Sequence, residues 1–126
     1  MTEKKQTFSA NERLKSRKEI SRIFKDGIFL YSDNFSLGFL RKLNQNTNKI
    51  AVSVPKKLFK SAVIRNKLKR IIKESYRLNK HILYDYSEKS NVFFSFLVIY
   101  KHKEVIPYQM IEEHLVFLLK KLIEQA

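Results

Sequence analysis

Between Lys56 and Lys73 the chain carries Lys56, Lys57, Lys60, Arg65, Lys67, Lys69, Arg70 and Lys73 without a single acid. Side chains of this kind, at this density, neutralise phosphates; they do not by themselves make or break bonds. The spacing predicts how they are presented. On a helical wheel from residue 62 to 82, Ile64, Leu68, Ile71, Ile72, Ser75 and Ile82 fall on one narrow face. Asn66, Lys69, Arg70, Lys73 and Arg77 fill the opposite arc, with Arg65 and Lys67 at its borders. Ser61 is placed to cap the helix, its hydroxyl accepting an amide of the first turn. The cations begin in that first turn, where they oppose the helix dipole. Such a local cost suits a face made for a polyanion; the alternative is an ordinary solvated helix face.

Catalytic signatures are missing. The two glycines, Gly27 and Gly38, exclude a glycine-rich phosphate loop. His81, His102 and His114 lack the spacing of a metal pair, and Asp26, Asp33, Asp85 and Glu88 are scattered among cations. Glu112 and Glu113 are adjacent and cannot share one helix face for paired-carboxylate work. With no cysteine, disulfides and thiol chemistry are excluded. A binding protein is the better reading, and its charge agrees: 26 Lys and Arg against 12 acids give +14 on 126 residues. Such a field raises the local concentration of an anionic partner, whether nucleic acid, anionic membrane or acidic protein. Aromatic residues interleaved with cations favour single-stranded nucleic acid, whose bases can stack.

The elements that must hold these residues follow from patterning. At 44% hydrophobic residues, with 10 Phe and 6 Tyr, the chain can build a core. Residues 1–8 read as a flexible basic tail, and 9–126 as one domain. The pairs Ser9/Glu12 and Ser16/Glu19 are capping boxes. Ser16 is favoured to open a helix over 17–26, with Gly27 as its left-handed stop. A short strand is possible at 28–31. Strands are expected at 35–40 and 49–54, joined by a hairpin loop through the polar run 44–48. Phe35, Leu37 and Phe39 then share a large apolar face with Ile50, Val52 and Val54. Ser36, Gly38, Ala51 and Ser53 line the other, which is either an open floor for a ligand or a surface packed under a helix. Residues 84–91 read as irregular, 92–101 as a central strand. Pro107 opens a last helix that buries Ile111, Leu115, Leu118, Leu119 and Leu122. The fold class is α+β, a single domain with a small mixed sheet and helices. No signal-peptide or membrane-span pattern occurs, so a soluble cytoplasmic protein is expected.

Lys56-Lys57, a short connector, then Ala62-Val63-Ile64-Arg65-Asn66-Lys67-Leu68-Lys69-Arg70 resembles the signature of the protein subunit of bacterial ribonuclease P. Arg13-Leu14-Lys15, Ile20 and Ile23-Phe24-Lys25-Asp26-Gly27 resemble the family's opening, and the element order agrees over roughly residues 12 to 123. Lys67 stands where the family carries a second arginine, keeping the charge without the planar fork. Phe59 stands where glycine is common, in a connector about one residue longer, and Pro55 replaces a usual serine. The resemblance implies a ribosomal protein S5 domain 2-like fold with a left-handed βαβ crossover. It also implies two RNA-binding surfaces. Lys56, Lys57, Arg65, Asn66, Lys67, Lys69, Arg70 and Lys73 would meet the catalytic RNA subunit and nearby substrate. A cleft with Arg13, Lys15, Ile20 and Phe24 over Ser36, Gly38, Ala51 and Ser53 would hold the 5′ leader of precursor tRNA. The implied activity is endonucleolytic leader removal, with Mg2+ held through the RNA subunit and substrate, none bound tightly by the protein, and no protein partner or membrane required. A ribosome-associated or general RNA-binding protein, or a nuclease using its own carboxylates, are the alternatives.

Overall fold

The computed structural model describes residues 9–42 and 45–125; the expected tail, residues 1–8, lies outside them. A 3-10 turn, Ala10–Glu12, leads into α1 (Arg17–Asp26), β1 (Ile28–Tyr31), β2 (Phe35–Lys42) and β3 (Lys49–Ser53). Then come α2 (Ala62–Asn79), α3 (His81–Ser90), β4 (Phe93–Tyr100) and α4 (Tyr108–Gln125). Ser9 and Glu12 form a capping box, the Ser9 amide donating to Glu12 Oε1 at 3.1 Å; at Ser16 the cap alone forms, its Oγ accepting the Glu19 amide at 3.2 Å while the Glu19 carboxylate pairs with Lys42. Gly27 closes α1 through its amide to the Ile23 carbonyl, but in an extended conformation (φ −74°, ψ 161°), not the left-handed one expected. Its glycine identity has another cause: a Cβ there would lie 2.5 Å from the Ile23 carbonyl oxygen.

The strand order is β1-β2-β4-β3, with β4 antiparallel to β2 and parallel to β3. The expected hairpin between β2 and β3 does not form, because β4 lies between them. The continuous apolar run of β4 gains most from that central place, buried on both faces. The described part of the polar run, from Gln45, is a tether. Asn48 is fully buried, its Oδ1 accepting the Phe94 amide at 2.8 Å and its Nδ2 donating to Ser87 Oγ at 3.1 Å.

The connection between parallel β3 and β4 runs through α2 and α3. The irregular reading of 84–91 is overturned here: α3 is a full helix, and Ile82 belongs to it instead of to α2. Tyr, Ser and Asp are weak helix formers, but Leu83 and Ser87 are buried and the Tyr86 ring stacks on Phe94 at 6.2 Å. Packing makes this helix. One face of the sheet, with Phe35, Leu37, Phe39, Phe94, Phe96, Val98 and Tyr100, is closed by α2, α3 and α4 into the main core. The other carries only a small cluster beneath α1, built on Leu14, Ile23 and Leu97.

Candidate nucleic-acid interface

The basic helix starts as the sequence requires. Ser61 Oγ accepts the Ile64 amide at 3.3 Å, and Leu68, Ile72, Ser75 and Tyr76 are buried against the core. Lys56, Lys57, Asn66, Lys67 and Arg70 are exposed; Lys69 and Lys73 are half-buried. Arg65 behaves differently. Its Nη1 donates to the carbonyls of Phe59 at 2.7 Å and Lys60 at 2.9 Å, folding the connector onto the first turn. Phe59, in turn, packs against the core with its ring 5.8 Å from Tyr100. That contact is why a large residue serves in this connector. Arg77 is bound to Glu74 by two hydrogen bonds of 2.9 and 2.6 Å, so its charge is matched on its own helix.

Lys73 is held below the ordinary lysine range, first by burial, then by the repulsion of Arg13 and Lys69. Arg13 lies far away in sequence, and three contacts bring it there. The Leu14 amide donates to the Ile50 carbonyl at 2.8 Å, aligning the segment with the outer edge of β3. Lys80 reaches the buried Glu12 at 2.9 and 3.0 Å, and the Tyr84 hydroxyl donates to it at 2.8 Å. Burial alone would raise the Glu12 pKa; Lys80, the Ser9 amide and Tyr84 outweigh it and hold the carboxyl below its usual range. Tyr84 is raised in its turn, chiefly by burial. The approach to α1 is thereby locked beside the basic helix, and cations concentrate where they meet. Like charges are held together at a cost that a polyanion relieves.

On the α1 side of the sheet, the stripe Ile20, Ile23 and Phe24 divides. Ile23 is fully buried, Ile20 half-buried, and Phe24 is 57% exposed. Arg13 and Lys15 are exposed at the entrance to α1. The four small residues do not form one open floor. Ser36 is 3% exposed, and Gly38 is covered by the Phe29 ring and by Ile23. The apolar β4 residues Leu97 and Ile99 lie between this pair and the other strand. Ala51 and Ser53, on β3, remain half-buried and reachable. Ser36 and Gly38 are therefore the packing surface for α1 and β1, and their small size is what lets Phe29 and Ile23 approach. Phe29 was missed in the sequence; its signal was the alternation of Ile28, Phe29, Leu30 and Tyr31, which puts it on the same face as Gly38.

A ribonuclease P family model matches residues 8–123. The ribonuclease P protein component of Petrotoga mobilis is 34% identical over 120 residues, spanning 93% of this chain and 96% of that one. Its counterpart in Porphyromonas gingivalis is 35% identical over 98 residues, 73% and 70% of the two chains. Among solved structures, the RNase P protein from Thermotoga maritima matches with a TM-score of 0.72 at 30% identity, covering 87% of this chain and 96% of that one. The Staphylococcus aureus RNase P protein matches at 0.73 and 26% identity, over 88% and 94%.

Proposed function

This chain belongs to the ribonuclease P protein family, and from that premise we propose that it holds the 5′ leader of precursor tRNA while a catalytic RNA subunit cleaves. One observation carries the reading: the pairing of Arg13 and Leu14 with Ile50 at the edge of β3 sets Arg13, at the entrance of α1, in the same field as Lys69 and Lys73 of α2. The exposed Phe24 face and the basic arc would then form one cationic path for a polyanion. The leader would stack on Phe24 and pass Ala51 and Ser53. Its phosphates, and those of the RNA subunit, would meet Lys56, Lys57, Asn66, Lys67, Lys69, Arg70 and Lys73.

The pairing of four acids supports a division of labour. Glu12 is engaged with Lys80, Glu19 with Lys42 at 3.1 Å, Glu74 with Arg77, and Glu112 with Asn79 at 2.9 Å. These carboxylates are engaged by neighbouring side chains, which favours a binding role over a protein nuclease. In this reading Mg2+, held by the RNA subunit and substrate, supplies the activated water. The protein lowers phosphate repulsion and holds the leader. It needs no protein partner or membrane and works in the cytoplasm. No helix among the described residues is long and apolar enough to cross a membrane.

The test is cleavage of precursor tRNA with Mg2+ and a bacterial catalytic RNA, with and without the protein. The protein should stimulate cleavage at moderate salt and cleave nothing alone. Single-turnover cleavage by purified protein alone would overturn the reading in favour of a protein nuclease. Equal effects on precursor and mature tRNA binding would favour a general RNA-binding protein.

A further inference from the structure

The basic arc of α2 has two flanks. Lys67 and Lys69 stand two residues apart, so they point to roughly opposite sides of the helix. Lys69, with Lys73, lies on the flank that Arg13 joins. Lys67 lies on the other, beside the start of α4. There Lys67, Arg70, Ile71 and Glu74 of α2 and Tyr108 of α4 line an open groove of about 370 Å³. Small-ligand sites occupy roughly 300–1,000 Å³.

Tyr108 is 38% exposed at the first turn of α4, between the buried Ile106 and Ile111. Its hydroxyl donates to Glu112 Oε2 at 3.3 Å, and the same oxygen accepts Asn79 Nδ2 of α2 at 2.9 Å. Asn79 also donates to the Ser75 carbonyl at 2.8 Å. The hydroxyl end is thus tied across both helices, and the ring is held ready in the groove wall. Ile71, half-buried and packed against the core, supplies an apolar wall. The cations of the groove are unmatched. Glu74 is engaged by Arg77 at 2.6 and 2.9 Å, while Lys67 and Arg70 make no ion pair among the described residues. A lone phosphate has no use for the ring, and an apolar helix has none for the two cations. An aromatic base that carries a phosphate uses both.

We propose that the groove between α2 and α4 binds a nucleotide, its base stacked on Tyr108 and its phosphate held by Lys67 and Arg70. Two sources share that chemistry: an unpaired nucleotide of the catalytic RNA and a free nucleoside monophosphate. The groove lies on helices that cover the sheet face opposite α1. It therefore stands apart from the leader and does not depend on the leader reading.

The test uses the full chain, titrated separately with a bacterial catalytic RNA and with AMP. Tyr108→Leu keeps the apolar bulk and removes the π-face; Tyr108→Phe keeps the ring. Tyr108→Leu should weaken binding roughly ten-fold or more, the effect of removing one base from an aromatic platform. A loss seen with the RNA places the nucleotide in the RNA strand, and a loss seen with AMP makes it a free ligand. Tyr108→Phe should retain the binding that Tyr108→Leu loses. In reconstituted holoenzyme, Tyr108→Leu should leave the preference for precursor over mature tRNA unchanged, because the leader does not reach this groove. The proposal is overturned if Tyr108→Leu binds both probes as wild type does, or if Tyr108→Phe loses as much as Tyr108→Leu. A changed precursor preference would also overturn it, by assigning Tyr108 to the leader.

Discussion

The two faces of the sheet are built from the same alternating strands and end in opposite states. Toward α2, α3 and α4, Phe35, Phe39, Phe94, Phe96 and Tyr100 are all buried, and the rings meet edge to face. Toward α1, one short helix seals Leu14, Ile23 and Leu97, while Phe24 and Tyr31 stay open. The difference lies in the number of helices available to cover each face. Aromatic residues on the first face stabilise the fold; on the second they are surface that a ligand can use.

The largest effect expected from this contrast is on the closed face. Phe96→Ala removes a fully buried ring packed 5.6 Å from Tyr76 and should cost about 3–5 kcal/mol, read as a large fall in Tm. Phe24→Ala should move stability by no more than about 0.5 kcal/mol, as for an ordinary surface change. A comparable loss at both positions would erase the distinction between the faces.

Next in size is the clamp that holds the N-terminal approach in place. Lys80→Ala leaves Glu12 buried without its cation and should cost about 3 kcal/mol or more. Its pH dependence has a definite sign. The folded pKa of Glu12 lies below the unfolded one, so its stabilisation is complete above the unfolded value of about 4.3. It is lost as pH falls through the folded value. Denaturant titrations of wild type and Glu12→Gln should therefore differ at neutral pH and converge in acid. A gap that persists in acid would remove the ion pair as its cause.

A smaller effect, on binding instead of stability, belongs to the open face. Phe24→Ala should weaken binding of leader-bearing precursor by about 1–3 kcal/mol and leave mature tRNA unchanged. Paired titrations of the two RNAs measure it directly. An equal loss for both RNAs would take Phe24 out of the leader cleft.

The finest contrast lies within α2. Lys69→Ala together with Lys73→Ala should reduce the log–log salt slope of RNA binding by about 0.7–0.9 per lost phosphate contact. Arg77→Ala should barely move it, because Glu74 already matches that charge. If Arg77 changed the slope as much as the lysines, local pairing would not be what separates them.

Much of this architecture was legible in the residues. The caps at Ser16 and Ser61, the bounds of α1, the buried stripe of α4 and the polarity of α2 are local properties. They depend on spacing of three to four residues or on one side chain meeting the next turn. The family signature from Lys56 to Arg70 also lies in one continuous stretch. What sequence determined was thus most of the elements, the basic face and the family. Tertiary structure alone decided the rest. The insertion of β4 between β2 and β3 replaced the expected hairpin, because pairing partners are chosen by burial across the whole chain. The same insertion separated Ser36 and Gly38 from Ala51 and Ser53, which alternation had put on a shared floor. Burial against β4 turned 81–90 into a helix against its composition. Arg13 came beside Lys73 through the pairing of Leu14 with Ile50 and through Glu12, Lys80 and Tyr84, the last contacts spanning 68 and 72 residues. Periodicity reports which face a side chain takes on its own element, and is silent on what the folded chain brings over that face.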